Sequence, residues 1–288
     1  MNRIALFFCV LLVAASVIAL AAYKPESTPK ATDDADVAVT IFPLYDIVRT
    51  IAGDAVDVHL ILPPGASPHT FEPSPSDVAA INDTRVVYRI GYTLDDWAVT
   101  IADAKSDVLT LSTDMEIRSA TDNSADPHYW LTIPNAKRMA ALAAQDLGSH
   151  FPQFKNTFQA NYLTYAKQLD ATDTEIRSIL AATPNKNIVT MHDAWYYFAT
   201  EYGLNVIGTF EPEGAEEPTP QQLASLTNAV AAAGVHTVYV DADANVDAIT
   251  SFANDNGLTI VAVDAEGATY SSYIDLMLGN ARLISQNN

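Results

Sequence analysis

Basic residues and cysteine are the scarce components of this sequence. The 288-residue chain has 15 Lys and Arg against 35 Asp and Glu, which gives a formal net charge of −20. Such a composition argues against binding to nucleic acids or anionic membranes and is compatible with cation binding. The single cysteine, Cys9, excludes an intrachain disulfide framework and a cysteine-based zinc or iron–sulfur site. With 49% apolar and 17% charged residues, the chain can form a sizeable core.

The amino-terminal segment predicts export. A single arginine precedes an uncharged apolar run that ends in a small-x-small sequence at residues 19–21. We assign residues 1–23 to a signal peptide or N-terminal anchor and residues 24–36 to a polar linker. Cys9 lies in the middle of the run, whereas a lipid anchor needs cysteine at its end. We therefore expect a protein at the periplasmic or extracellular face of the cell membrane, either released or tethered by an uncleaved N-terminal segment, that is not a lipoprotein.

Short apolar runs alternate with helical patterns in both halves of the remaining chain. This alternation predicts an α/β fold with parallel sheets flanked by helices. Predicted strands span residues 37–41, 56–62, 85–90, 108–111, 188–191, 204–207, 237–240 and 259–263.

The middle of the chain breaks the alternation with one long helical pattern. Residues 152–182 keep helical apolar spacing, and no Gly or Pro occurs between Gln153 and Thr183. A helix of this length is roughly 45 Å long, which is the size of a whole domain. The sequence thus predicts two lobes, at residues 37–150 and 184–288, joined by a rigid backbone helix at 151–183. Bending between the lobes should be small.

Three of the six histidines occupy informative positions, and one acidic residue joins them. His69 lies in a proline-rich loop after a predicted strand, and His128 directly precedes a predicted helix. His192 and Asp264 each follow a predicted strand directly. Ligands of open parallel sheets bind beyond the carboxyl ends of strands, so these side chains are expected to converge between the lobes. Three imidazoles and one carboxylate suit zinc, and also manganese or iron with further oxygen ligands.

Other polar residues near these positions leave alternatives open. Asp241 also ends a strand and either competes with Asp264 for the fourth position or supports a ligand histidine. Glu72 and Asp193 lie close to candidate histidines, where they either orient an imidazole or are ordinary loop carboxylates. The remaining histidines, His59, His150 and His236, are interpreted as packing, helix-end or surface residues.

Four sequence blocks carry a resemblance to a known family. Residues 64–77, 126–131, 191–204 and 272–280 resemble the signatures of the metal-binding solute-binding proteins of ABC importers for zinc and manganese. The resemblance covers residues 37–285. It implies one divalent metal ion per chain, bound between two α/β lobes by residues that correspond to His69, His128, His192 and Asp264.

Two departures from the family pattern concern metal choice and the fourth ligand. Residues 112–125 contain no histidine, whereas many zinc-specific members carry a histidine-rich loop there. The family's last ligand lies in an Asp-Pro-Leu-Gly-like turn, which here reads Asp264-Ala265-Glu266-Gly267. With histidine at the third position, the resemblance favours Zn²⁺, and Mn²⁺ or Fe²⁺ remain alternatives.

The preferred function is capture and delivery of a metal ion. The resemblance implies a monomeric binding protein, not an enzyme, that hands its metal to an ABC permease driven by a cytoplasmic ATPase. The first alternative is an exported zinc hydrolase with an open three-histidine site, although the chain lacks His-Glu-x-x-His and Gly-x-Ser-x-Gly motifs. The second alternative is a surface adhesin on the same fold.

Overall fold

The structure is a computed structural model that describes residues 36–120, 124–211, 218–242, 244 and 246–288. The predicted signal or anchor at residues 1–23 and almost all of the linker at 24–36 lie outside the described residues. Among the residues described, no helix has the length and apolar character needed to cross a bilayer.

The amino-terminal lobe contains a four-stranded parallel sheet in the order β2-β1-β3-β4. Every residue of the central strand β1 is fully buried, as expected for a parallel sheet that is covered on both faces. The strands are β1 (Val37–Val39), β2 (Val58–Leu60), β3 (Val86–Arg89) and β4 (Asp107–Thr110), and the helices between them are α1 (Phe42–Ala52), α2 (Pro75–Asn82) and α3 (Trp97–Ile101).

The carboxyl-terminal lobe repeats this plan with a second parallel sheet in the order β6-β5-β7-β8. Its strands are β5 (Asn187–His192), β6 (Asn205–Glu211), β7 (Thr237–Asp241) and β8 (Thr259–Val263). Its helices are α6 (Tyr196–Tyr202), α7 (Pro220–Ala233), α8 (Asp247–Asn256) and α9 (Tyr273–Asn287), where α4 and α5 are the two helices between the sheets.

Helix α4 (Ile133–His150) and the 27-residue helix α5 (Lys155–Ala181) connect the two sheets. Helix α5 buries an apolar stripe at helical spacing, and a short 3₁₀ turn at Pro152–Phe154 precedes it. The ion pair Lys137–Asp170 joins α5 to α4, and Arg282–Glu175 joins α5 to α9. The predicted long helix is confirmed. The lobe boundaries at 150/151 and 183/184 remain predictions.

The structure and the sequence patterns differ mainly at element ends. Helix α2 begins at Pro75, with Ser74 as its N-cap. Ser74 and Asp77 form a reciprocal capping box, which satisfies two backbone N–H groups at once. The five-residue helix α3 has no counterpart among the predicted elements, because it is too short to show a period.

Candidate metal centre

Three histidines that are distant in sequence meet between the two sheets. One ring nitrogen from each of His69, His128 and His192 lies within 4.8 Å of the other two. Among the described residues, this is the one group of His, Cys, Asp or Glu side chains close enough to hold a metal ion together. The Nε2 atoms of His69 and His128 are 3.3 Å apart. Two nitrogens bound to one zinc at 2.0–2.1 Å with a tetrahedral angle would be separated by about 3.3 Å. The cluster therefore has the dimensions of a zinc or similar transition-metal site.

Asp126 orients His128 through the backbone and the ring. Its Oδ1 atom accepts the backbone N–H of His128 at 3.0 Å and lies 2.8 Å from the Nδ1 atom. Because Asp126 precedes His128 by only two residues, its carboxylate can reach both the backbone N–H and the ring of His128. With Nδ1 held by the carboxylate, the Nε2 atom of His128 faces the other histidines.

Asp241 orients His192 in the same way from a neighbouring strand. Strands β5 and β7 pair in the sheet, and their carboxyl ends carry His192 and Asp241. The Oδ2 atom of Asp241 lies 2.5 Å from Nδ1 of His192, and Trp195 donates its indole N–H to Oδ1 at 3.4 Å. Two histidines thus have the carboxylate partner that metal-binding imidazoles usually have.

The imidazoles differ in protonation. The pKa of His69 is lowered mainly because its ring is enclosed by neighbouring atoms, although the residue as a whole is exposed. The like charges of His128 and His192 lower this pKa further. Burial acts to lower the pKa of His192, but the Asp241 carboxylate outweighs it and raises this pKa to about 9. At neutral pH His69 is therefore neutral and His192 is protonated, so a metal ion would have to displace a proton in order to bind His192.

Asp264 lies outside the group of three. Its Oδ1 atom accepts the backbone N–H groups of residues 266, 267 and 268 at 2.6–3.1 Å. Its Oδ2 atom accepts both the N–H and the hydroxyl of Thr269 at 2.8 Å. The carboxylate thus organises the turn after β8, and the assignment of Asp264 as the fourth ligand stays a prediction.

Glu72 and Asp193, the other two carboxylates suggested by the sequence, make no hydrogen bond to a histidine ring among the described residues. Glu72 is exposed, and Asp193 is half-buried at the start of a 3₁₀ turn. Burial raises the pKa of Asp193, against the lowering effect of the nearby imidazoles. Asp126 was not among the sequence candidates, although its place two residues before His128 was a usable signal.

Comparison with known families gives one description for almost the whole described chain. The family described as "ZnuA: Zinc-uptake complex component A periplasmic" matches residues 37–287. The manganese-binding lipoprotein MntA of Halalkalibacterium halodurans is 28% identical over 95% of this chain and 95% of its own length. The zinc-binding lipoprotein AdcA of Streptococcus pneumoniae is 26% identical over 96% of this chain, which spans 60% of AdcA. The iron ABC transporter substrate-binding lipoprotein MtsA of Streptococcus pyogenes is 27% identical over 94% of each chain.

Solved structures support the same architecture. The crystal structure of ZnuA superposes with a TM-score of 0.82 at 25% identity, covering 88% of this chain and 99% of that chain. The laminin-binding protein Lmb of Streptococcus agalactiae, described as having adhesin and metal-transporting activity, superposes with a TM-score of 0.80 at 26% identity and covers 88% and 99% of the chains. The predicted two-lobe α/β fold with a long helix is confirmed.

The relatives correct the prediction about lipid anchoring. MntA, AdcA and MtsA are all named lipoproteins, so the expectation that this protein is not a lipoprotein is wrong. The expectation rested only on the position of Cys9 inside the apolar run. Distance along an apolar run is weak evidence, because it says nothing of where the export machinery cuts the chain.

Proposed function

This chain belongs to the ZnuA family, the metal-binding substrate-binding components of ABC transporters, and we propose that the ion it captures is Zn²⁺. The proposed ligands are His69, His128 and His192, with Asp264 as the fourth. Mn²⁺ and Fe²⁺ are the competing cargoes, and the names of MntA and MtsA are the reason to test them.

The observation that carries the proposal is the spacing of the three imidazoles. Their ligand nitrogens lie within 4.8 Å of one another. Nitrogen-rich sites of this size favour zinc over calcium and magnesium, which prefer oxygen ligands. An all-imidazole core also favours zinc over manganese, for which carboxylate oxygens are better ligands.

Asp264 is proposed as the fourth ligand because it follows β8, the strand that pairs with β7 and hence lies beside the end that carries Asp241. Four protein ligands would complete a tetrahedron and leave no position for a reactive water. The alternative role of Asp264 is to stabilise its turn. Alanine at this position separates the two roles: a ligand is required for zinc affinity, whereas a turn residue is required only for thermal stability.

Delivery is the second half of the proposed function. A monomeric protein at the extracytoplasmic face would pass its ion to the permease of an ABC importer, which a cytoplasmic ATPase drives. The proposed role is transport and not catalysis. Adhesion is a second candidate function, because Lmb is described as both an adhesin and a metal transporter.

Elemental analysis of protein purified without chelator, followed by calorimetric titration of the metal-free form, tests the proposal. We expect about one zinc per chain and a preference for Zn²⁺ over Mn²⁺ and Fe²⁺. Substitution with Co²⁺ and a test for exchangeable bound water then separate a closed carrier site from an open hydrolytic one. A protein that retains manganese or iron and binds zinc weakly would contradict the choice of metal.

A further inference from the structure

The loop that carries His128 is tied to the helix that follows His192 by contacts that need no metal. On the amino-terminal side, the chain on both sides of residues 121–123 pairs antiparallel through Ser119 and Ala125. The backbone N–H of Asp126 donates to the carbonyl of Arg118 at 2.8 Å, so these two residues face each other.

Arg118 and Asp126 form an ion pair that reaches the metal centre. The guanidinium of Arg118 donates to Oδ2 of Asp126 at 2.7 Å. The Oδ1 atom of the same carboxylate holds both the backbone N–H and the ring of His128. The Asp126 side chain is 1% exposed and that of Arg118 is 30% exposed, so the pair is largely shielded from solvent. Arg118 is therefore connected to His128 through the Asp126 carboxylate.

Two tyrosines of the carboxyl-terminal lobe contact the two residues of this ion pair. The guanidinium of Arg118 lies 3.9 Å from the ring centroid of Tyr196, which is cation–π distance. The hydroxyl of Tyr197 accepts the backbone N–H of Arg118 at 2.8 Å and donates to the carbonyl of Asp126 at 3.1 Å. Both tyrosines begin α6, a single 3₁₀ turn after His192.

These contacts connect His128 and His192, two of the proposed ligands, through protein groups alone. One end of the route is His128 in the amino-terminal lobe, and the other is His192 in the carboxyl-terminal lobe. Separating the lobes at this point would leave the Tyr197 hydroxyl and two backbone groups without partners and would remove the aromatic face from the cation. These contacts therefore resist separation of the two lobes at this point.

We propose that Arg118, Tyr196 and Tyr197 form a cross-cleft latch that holds His128 beside His192 and must break before the ion leaves. The three are positioning residues, because they act on the ion through Asp126 and His128. The inference rests on the proposed metal-binding function and adds to it a device that sets the rate of release. A latch of this kind affects dissociation more than capture, since its contacts must break before His128 and His192 can separate.

The test measures zinc release from the loaded protein into excess chelator by stopped flow. Tyr197→Phe removes both hydrogen bonds, and we expect release about tenfold faster. Tyr196→Leu removes the aromatic face, and we expect release about fivefold faster. Tyr196→Phe retains the aromatic ring, so this variant should release zinc at the rate of the unmodified protein. The absorption spectrum of the Co²⁺ form should remain that of the unmodified protein in all three variants, because no ligand is changed.

Arg177→Met is the matched control. Arg177 lies over the ring of Tyr202, at the other end of α6, at 5.3 Å and pairs with Asp173 and Glu201. The Arg177–Tyr202 contact is of the same kind as the Arg118–Tyr196 contact and involves the same helix, but it has no link to His128. Its loss should therefore leave zinc release unchanged. Should Tyr196→Leu fail to fold, Arg118→Lys tests the stacking, because lysine retains the charge beside Asp126 and loses the planar group.

Two failures are distinguishable. If the unmodified protein does not bind zinc, the proposed cargo is wrong. If it binds zinc but Tyr197→Phe and Tyr196→Leu release it at the unmodified rate, the latch is wrong and the cargo stands. Equal acceleration by Tyr196→Phe and Tyr196→Leu would show that the ring face of Tyr196 has no part in the latch.

Discussion

At the scale of single residues, the site depends on carboxylates that orient imidazoles. Asp126 holds His128 from two residues away, and Asp241 holds His192 from the adjacent strand. Each carboxylate fixes one ring nitrogen and thereby turns the other toward the cluster. His69 is the exposed member, and its ring packs against those of His128 and His192 with centroids 5.4 and 6.1 Å away.

Loss of one imidazole should abolish tight binding. We expect His192→Ala to weaken zinc binding by at least about a hundredfold in calorimetry, since even the loss of a group that orients a ligand can cost that much. His236→Ala and His150→Ala are the controls, because both residues lie outside the cluster. Unchanged affinity in His192→Ala, or a large loss in either control, would show that the ligands are assigned wrongly.

The raised pKa of His192 predicts a pH dependence of the metal-free protein. The protonated ring is stabilised by Asp241 in the folded state, with a pKa of about 9 against 6.5 for the free side chain. This contribution is complete below pH 6.5 and is lost as the pH rises through 9, and its upper bound is about 3 kcal/mol.

Urea unfolding of the metal-free protein between pH 6 and 10 checks this dependence. The free energy of unfolding should fall over that window by more in the unmodified protein than in Asp241→Asn, which removes the negative charge. Parallel curves for the two proteins would rule out the ion pair as the cause.

At the scale of elements, loops at strand ends determine both the site and the contact between lobes. The turn after β8 packs so closely on α1 that a Cβ atom at Gly267 would lie 1.9 Å from the Cδ1 atom of Phe42. The indole of Trp130 donates to the carbonyl of Ala265 in the same turn at 2.8 Å. Elements of the amino-terminal lobe therefore hold the turn that contains Asp264.

A pair of glycine substitutions tests this close approach. Gly267 and Gly234 both have positive φ, at +84° and +60°, but a Cβ atom at Gly234 would meet nothing within 4 Å. Both alanine variants should carry the backbone cost of that conformation, and Gly267→Ala should lose about 1–3 kcal/mol more because of the clash. Chemical denaturation compares the two. Equal losses would mean that the turn can move away from Phe42 freely.

At the scale of the whole molecule, helix α5 and the contacts across the cleft restrict how the lobes move. Asp46 of α1 accepts the backbone N–H of Tyr273 at the start of α9, and the Tyr273 hydroxyl donates to the carbonyl of Trp130 at 2.6 Å. A 27-residue helix without glycine or proline is a stiff connection between the sheets. Metal binding is therefore expected to produce small tilts and no wide closure.

Small-angle scattering with and without zinc measures this directly. We expect the radius of gyration to change by less than about 1 Å, the scale of movement in pre-organised sites. The thermal midpoint should rise with zinc concentration in the same samples, because an ion that binds only the folded state stabilises it by mass action. A contraction of several ångströms would contradict the rigid connection.

Local patterns determined much of this protein from the sequence alone. Short apolar runs identified all eight strands of the two sheets, and period-3.6 spacing identified the long helix, because both signals can be read without tertiary contacts. The strand-end rule selected His69 and His192 together with Asp264, since carboxyl ends of parallel strands meet at one edge, whereas His128 was selected by its place before a helix. The three histidines do lie together in the structure.

Only the tertiary structure decided which side chains share a contact. The pairing of β5 with β7 places Asp241 on His192, and the packing of α6 on the loop before His128 places Arg118 on Tyr196. Asp264, which shares its strand-end position with His192, instead directs its carboxylate into its own turn. Sequence spacing states which residues reach the same edge, but their contacts depend on backbone and packing between segments that are far apart in the chain.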